Sequence, residues 1–373
     1  MDDHSCRSCH GTSGHLVLDL GEQPACDYFP RADAPGPAPV YPLAMWLCSS
    51  CGLAQLVNDP TIPEEPRGVE PAALIAQATD AIGRVAAAGL LRPGKRVAEY
   101  GSPHGGSWLE QVTARGLVPV TGTGPADVVI DCFGMMHAAN QSTALAERTA
   151  RVAPGGVLLL QYHSLETIIR EGQWNALRHG HYAYYSTTAI TAMLASGGFS
   201  PRTSWWFDLY GGTVLLAARR DSDQPGEPDG TVAALLALED RTGASDADVV
   251  SGLQQSARAN AAGLRNWLIA ARSADRRVLG YGAASRAVAL LQMADVDHDL
   301  LEAVVDASPA KQGLAMPGTE IPIVSPRALA ERRPDAVLLF VPDLMKEVRA
   351  AYPEVEVNGG RWVDASTLGS DRE

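Results

Sequence analysis

Apolar positions along this chain change their spacing from stretch to stretch, and the changes mark out its elements. Short alternating runs at His15–Leu20 and Met45–Leu47 predict strands within an opening segment rich in proline. From Pro71 to Leu91 the apolar residues Leu74, Ile75, Ala78, Ile82, Val85 and Leu90 recur at helical spacing, so this stretch predicts a helix. Arg96–Tyr100, Val118–Val120, Asp127–Asp131 and Gly156–Gln161 read as strands between helical stretches, the rhythm of a parallel α/β sheet. After the polar segment Asp221–Gly230 come helices over Thr231–Arg241 and Asp246–Ser273, the second opened by a Ser245-x-x-Asp248 capping pattern. Then the α/β rhythm restarts, with strands at Arg277–Tyr281, Leu301–Asp306 and Ala336–Phe340. Two Rossmann-like sheets in one chain imply two crevices of the nucleotide-binding type.

The pattern divides the chain at proline-rich and polar stretches. Residues 1–66 form a small first module, 67–220 a Rossmann-like domain, and 231–373 helices followed by a second Rossmann-like domain. The segment Asn58–Gly68, with Pro60, Pro63 and Pro66, reads as a linker. At 373 residues, 46% hydrophobic and 20% charged, the composition is that of a globular protein with sizeable cores. The polar start and the lack of any apolar run near ~18 residues predict neither a signal peptide nor a spanning helix, hence a cytoplasmic protein that does not bind membranes. A net charge of −13 argues against nucleic acid as a partner.

Four of the six cysteines stand in two Cys-x-x-Cys pairs, Cys6/Cys9 and Cys48/Cys51. Each pair holds one edge of a Zn²⁺ tetrahedron from a tight turn, and two pairs close the site, which makes the metal structural. Cys26 and Cys132 are isolated, so a disulfide framework does not fit. Further along, Glu99-Tyr-Gly-Ser-Pro-His-Gly-Gly places a glycine turn after a strand, where a ligand approaches the backbone at a helix N-terminus. The stretch Trp174–Ser186 holds two histidines and three tyrosines between Arg178 and Tyr185, too polar and aromatic for a simple surface loop.

These features together resemble the sugar-nucleotide C-methyltransferase family, three-domain enzymes that methylate keto-deoxysugars attached to dTDP. The resemblance rests on the cysteine pairs, Tyr41-Pro-Leu, Cys51-Gly-Leu-Ala-Gln, the histidine block and Leu209-Tyr-Gly-Gly-Thr. Its C-terminal marks are Gly280-Tyr-Gly-Ala-Ala-Ser, Val305-Asp-Ala-Ser-Pro-Ala-Lys-Gln-Gly and Met316-Pro-Gly-Thr-Glu-Ile-Pro-Ile. It implies a three-domain α/β fold: the zinc-binding module, a shortened Rossmann-like methyltransferase domain and a C-terminal Rossmann-like domain. It also implies a monomer and a small-molecule substrate, a nucleotide-linked sugar or another anionic keto compound, between the middle and last domains. By the same resemblance His181 is the base that takes a proton alpha to a ketone, His179 orients the site, and Tyr184 donates to the enolate or walls the pocket. S-adenosylmethionine is the implied methyl donor, held near Glu99, Gly101, His104, Gly105 and Asp131.

Several positions depart from the family pattern. In the histidine block a tyrosine becomes Arg178 and a glutamate becomes Gly180, which suggests an anionic substrate. After Val118-Pro119 no ribose-binding acid, helix or third strand precedes Asp127; the chain carries no carboxylate between Glu110 and Asp127. Residues 58–89 contain no aromatic side chain, so the family's Tyr-x-Tyr contact to the sugar is also missing, and Arg286 stands where a lysine is common. Three functions therefore stay open: a C-methyltransferase, an isomerase, lyase or cyclase that keeps the His181 chemistry without the methyl donor, and a non-catalytic scaffold.

Overall fold

The computed structural model describes residues 4–34, 36, 38–57, 70–102, 105–223 and 227–369. The linker expected over 58–68 and His104 of the glycine turn lie outside the described residues. Among the described residues there are three sheets, and no helix is long and apolar enough to cross a membrane.

The first sheet begins with β1 (Gly14–Pro24), β2 (Val40–Cys48) and β3 (Ala54–Leu56), paired antiparallel in that order. β2 buries all of its last six residues, Leu43–Cys48, because it packs on both faces. Its register with β1 shifts at Leu16/Leu18 and again at Asp19/Glu22, irregularities that curl the ribbon. A fourth strand, far away in sequence, joins the other side of β3 and is taken up below.

The second sheet follows α1 (Ala72–Ala87), whose residues Ala78, Ala81, Ile82 and Val85 face inward as the helical spacing predicts. It is built from β4 (Arg96–Gly101), then, after α2 (Leu109–Thr113), β5 (Val118–Pro119) and β6 (Ala126–Cys132). Next come α3 (Gln141–Arg151), β7 (Val152–His163), α4 (Leu165–Arg170), β8 (Ala183–Tyr184) and α5 (Thr187–Ser196). The hairpin of β9 (Phe199–Phe207) and β10 (Thr213–Arg220) completes it, in the strand order β5-β4-β6-β7-β10-β9. β7 continues across Pro154–Gly156 with a bulge, the register jumping from Ala126↔Val152 to Val128↔Val157. β5 is two residues long and sits at the edge of the sheet. Beyond it the chain passes directly into β6, so a third strand with its helix is absent, as the sequence indicates.

The next helices along the chain are α6 (Gly230–Thr242), α7 (Ala247–Val250) and α8 (Gly252–Ser273). Here the capping expectation is corrected. Asp246, not Ser245, is the N-cap, its side chain accepting from the Asp248 amide at 2.9 Å, and the single helix expected is interrupted at Ser251. β11 (Val278–Tyr281), α9 (Ser285–Met293), β12 (Val304–Val305), β13 (Ile323–Val324), β14 (Ala336–Leu339) and β15 (Arg361–Asp364) form the third, all-parallel sheet, ordered β13-β12-β11-β14-β15.

The cores bind these parts together. Val17, Leu18, Leu43 and Met45 of the first sheet share one apolar cluster with Leu253, Leu264 and Leu268 of α8 and Val288 and Leu291 of α9. A second cluster joins Trp46 and Leu53 to Leu158, Leu160 and Val214 of the middle sheet. Each fully buried side chain of this kind contributes about 1.5–3 kcal/mol, so the first module is welded to both sheets that follow it.

Candidate functional site

The histidine block reaches its position through backbone pairing. β8 is the fourth strand of the first sheet, with Ala54↔Tyr184 and Gln55↔Ala183 in register. On either side, the Leu56 amide donates to the Tyr182 carbonyl, the Tyr182 amide to the Met136 carbonyl, and the Leu165 amide to the Tyr185 carbonyl. The block is thus stitched to the cysteine module, to the turn after β6 and to the end of β7.

That placement puts it beside a cavity of about 370 Å³ lying between the carboxyl ends of the middle and C-terminal sheets. One wall is the turn Ser102, Gly105 and Gly106 with Phe133 and His137. The floor is Gln161, His163, Arg178, His181, Tyr184 and Tyr210, and the opposite wall is Tyr281–Arg286, Asp306, Lys311 and Tyr352. Crevices at the carboxyl ends of parallel strands are the usual ligand positions of such sheets. Gly105 has φ +107°, a conformation that L side chains rarely adopt, and a Cβ there would meet nothing within 4 Å, so the turn leaves room for a ligand. Phe133 (φ 58°) and Tyr210 (φ 54°) are held in the left-handed region without being glycine, and their rings meet edge to face at 6.1 Å on the cleft.

Within the block, His181 is 6% exposed. Arg178 Nε donates to its Nε2 at 2.8 Å and lies 3.3 Å from its Nδ1, while Arg178 Nη1 donates to Ser285 Oγ at 2.5 Å. The Arg178 amide donates to the Tyr184 hydroxyl at 3.1 Å. The His137 ring stands edge-on to His181, centroids 4.5 Å apart, its Nδ1 donating to the Gly180 carbonyl and its Nε2 3.5 Å from Ser102 Oγ. His163 is buried on the same floor, its imidazole pushed down to about 3, first by burial and then by Arg286, so it is neutral at physiological pH.

Other residues expected at the site lie elsewhere. His179 is buried against Tyr41, its Nε2 3.3 Å from the Pro42 carbonyl, and does not line the cleft. Glu99 accepts from the Trp108 amide and Ser107 Oγ, both at 2.5 Å, and so caps the approach to α2. Asp131 does not face the crevice. It is 1% exposed, accepts from the Gly134 and Met135 amides at 2.8 and 3.0 Å, and pairs with Arg148 Nε at 2.5 Å. Burial pushes its carboxyl up, against Arg148 and the two amides that pull it down. Gly101 ends β4 outside the lining, whereas Gly105 is within it.

His137, His163 and Phe133 line the cleft and carry no motif, whereas Tyr210, also on the cleft, stands in the Leu209-Tyr-Gly-Gly-Thr motif. Of the first three, His163 had a readable signal, because it ends a long apolar strand, β7, at the edge where such sheets take ligands.

The four module cysteines form a compact cluster, all sulfurs within 4.8 Å of one another, with Cys6–Cys51 at 3.5 Å and Cys9–Cys48 at 3.6 Å. A Zn²⁺ with bonds of about 2.3 Å requires sulfur separations of roughly 3.8 Å, so the cluster fits the ion with slight expansion. The Ser8 and Cys9 amides point at Cys6 Sγ, and the hydrogen bond from Cys51 followed by these amides lowers Cys6 to about 5. β5 is followed by neither a carboxylate nor a third strand, so the ribose acceptor and purine wall usual for S-adenosylmethionine are missing at that position.

Two family models match the chain. Residues 208–365 match the C-methyltransferase C-terminal domain, and residues 6–63 match a family described as "Putative zinc binding domain". The C-methyltransferase NovU of Streptomyces niveus is 27% identical over 233 residues, 62% of this chain and 54% of that protein. The chain thus aligns with about half the length of this curated relative. Among solved structures, the magnesium protoporphyrin IX methyltransferase of Synechocystis PCC 6803 with bound SAH is similar at a TM-score of 0.31, with 13% identity over 42% of this chain and 90% of that one. The 1,6-didemethyltoxoflavin-N1-methyltransferase of Burkholderia thailandensis gives 0.30, with 15% identity over 45% and 95%.

Proposed function

We propose that this chain, whose residues 208–365 match the C-methyltransferase C-terminal domain and residues 6–63 a zinc-binding family, removes a proton alpha to the carbonyl of a small anionic keto compound. A nucleotide-linked deoxysugar is the first candidate, with His181 as the base. The observation that carries this reading is the gathering of His181, Arg178, Tyr184, Ser102, Gly105 and Gly106 on one cleft between two sheets. In the step, the carbon–hydrogen bond breaks, the proton passes to His181 Nε2, and the electron pair moves onto the carbonyl oxygen as an enolate. A hydroxyl and cations around that oxygen lower the barrier. S-adenosylmethionine, if bound beside the cleft, would supply the methyl group for that carbanion.

A second reading, in which the carbanion is reprotonated or expels a leaving group without any methyl donor, is favoured by the missing segment after β5. Losing the bidentate ribose acceptor weakens donor binding by about 1.5–3 kcal/mol, roughly ten- to more than hundredfold. Calorimetric titration with S-adenosylmethionine and S-adenosylhomocysteine separates the two. Micromolar binding supports methyl transfer, and no heat at millimolar ligand sinks it. Exchange of the alpha proton of a keto-sugar nucleotide for deuterium tests the base itself: His181→Ala abolishes it on this reading, and unchanged exchange removes His181 from the mechanism.

A further inference from the structure

We infer that Arg286, at the N-terminus of α9, is the receptor for an oxyanion, a phosphoryl or carboxylate group carried by the ligand of the cleft. This rests on the reading of the cleft as the site of an anionic substrate, and it places the charge outside the histidine block. Arg286 is the second residue of α9 and lines both the cleft and a second cavity of about 810 Å³, so it stands where the two meet. Among the described residues its guanidinium makes no hydrogen bond and no ion pair, and it lies over the Tyr210 ring at 5.4 Å. A guanidinium has five N–H donors and rarely leaves them all unused away from bulk water. Burial works against its charge first and Arg178 second, whereas Asp343 and Tyr210 favour the charge.

The carboxylates nearby do not serve as its partner. Asp306 accepts from the Ala283 and Ser308 amides, each at 2.7 Å, and Glu70 and Glu347 line the cleft without an ion pair to Arg286. Asp343 lines the second cavity together with Glu171, Asp208 and Asp364, so that side repels an anion. An anion therefore meets Arg286 from the cleft. There the first turn of α9 has no side-chain cap, because its N-cap is Ala284, and the helix presents its positive end. Arg178 is committed elsewhere, its Nε against the His181 ring and its Nη1 on Ser285 Oγ. Lys311 is committed too, since its ammonium donates to the Ala283 carbonyl at 2.8 Å and lies over Phe29. Arginine grips a phosphoryl or carboxylate group through paired, charge-assisted hydrogen bonds. A desolvated cation without a partner is costly to the fold, and a bound oxyanion offsets that cost.

The test titrates the zinc-loaded full chain by calorimetry with inorganic pyrophosphate and, separately, with malonate. At least one is expected to bind at millimolar concentration or below, and which one binds identifies the anion class. Arg286→Gln is expected to weaken that binding about tenfold or more, the usual worth of hydrogen bonds to a charged group. Should that variant not fold, Arg286→Lys, which keeps the charge and loses the paired N–H groups, is expected to weaken it about threefold or more. The same probe should raise the melting temperature of the wild type and not that of the variant. A smaller loss of affinity, an equal thermal shift in both proteins, or no binding of either probe to the wild type overturns the receptor. Anion binding that depends on Arg286 in a protein without alpha-proton exchange would instead sink the base reading and leave the receptor standing. Exchange that survives Arg286→Gln with unchanged substrate affinity would do the reverse.

Discussion

The middle and C-terminal sheets are two versions of one plan, and they treat the acids at their strand ends differently. In the middle sheet both acids are taken out of the cleft: Glu99 caps the approach to α2, and Asp131 is sealed in the core on Arg148 and two amides. In the C-terminal sheet Asp306 also holds two amides, yet it remains half-buried on the cleft wall. Accepting from amides does not by itself take a strand-end carboxylate off the cleft, as Asp306 shows; pairing with a buried cation, as at Asp131, does. In the middle sheet none is left, and the groups that line the cleft there are His137, His163, Gln161 and aromatic side chains.

The contrast breaks most severely at Asp131. Asp131→Ala leaves Arg148 as a buried, unpaired cation, and a loss of about 3–5 kcal/mol in unfolding free energy is expected from urea titration. A loss below ~1 kcal/mol would mean that the pair is solvated and the contrast false. The paired replacement Asp131→Leu with Arg148→Met should recover most of that loss, since exchanging both charges for apolar groups is often near neutral. Asp306→Ala should lower stability by only about 1.5 kcal/mol, the usual worth of hydrogen bonds to a charged group. An equal loss at both positions would erase the distinction between a core acid and a cleft acid.

The smallest effect concerns Asp127, at the other end of β6. Its carboxyl is held below the usual carboxylate range, first by the Arg96 amide and then, against burial, by Lys95. Because the folded value lies below the unfolded one, its stabilisation is complete above the unfolded range and is lost as pH falls through the folded value. Asp127→Asn should lower stability slightly at neutral pH, leave it nearly unchanged below pH ~2, and so flatten the acid limb between pH ~4 and ~2. A limb of unchanged slope would assign acid sensitivity to other carboxylates.

Local chemistry was legible in the sequence, and long-range pairing was not. The cysteine knuckles and the abrupt passage from Val118-Pro119 into Asp127 announce themselves because spacing alone determines them. Asp131 reads as a cleft acid from its strand-end position, and only the fold shows that Arg148, one helix later, turns it inward. Arg178 reads as an anion receptor, while its bond to His181 depends on how a loop closes after Gly180. The pairing of Ala183–Tyr184 with Ala54–Leu56 leaves no periodic trace at all, being two residues long and some 130 positions from its partner.

That pairing bears on how such a protein can be divided. A cut near residue 66 would leave β3 as an open sheet edge and strip the histidine block of its partner strand. It would also sever Arg7, in the first knuckle, from the Ala139 carbonyl and from the Tyr182 ring it covers at 4.8 Å. The cysteine module is therefore not a cassette that recombination or cloning can exchange by itself. A graft from a relative must bring residues 174–186 with it, and chimeras joined at the linker alone should assemble their metal site while misplacing His181.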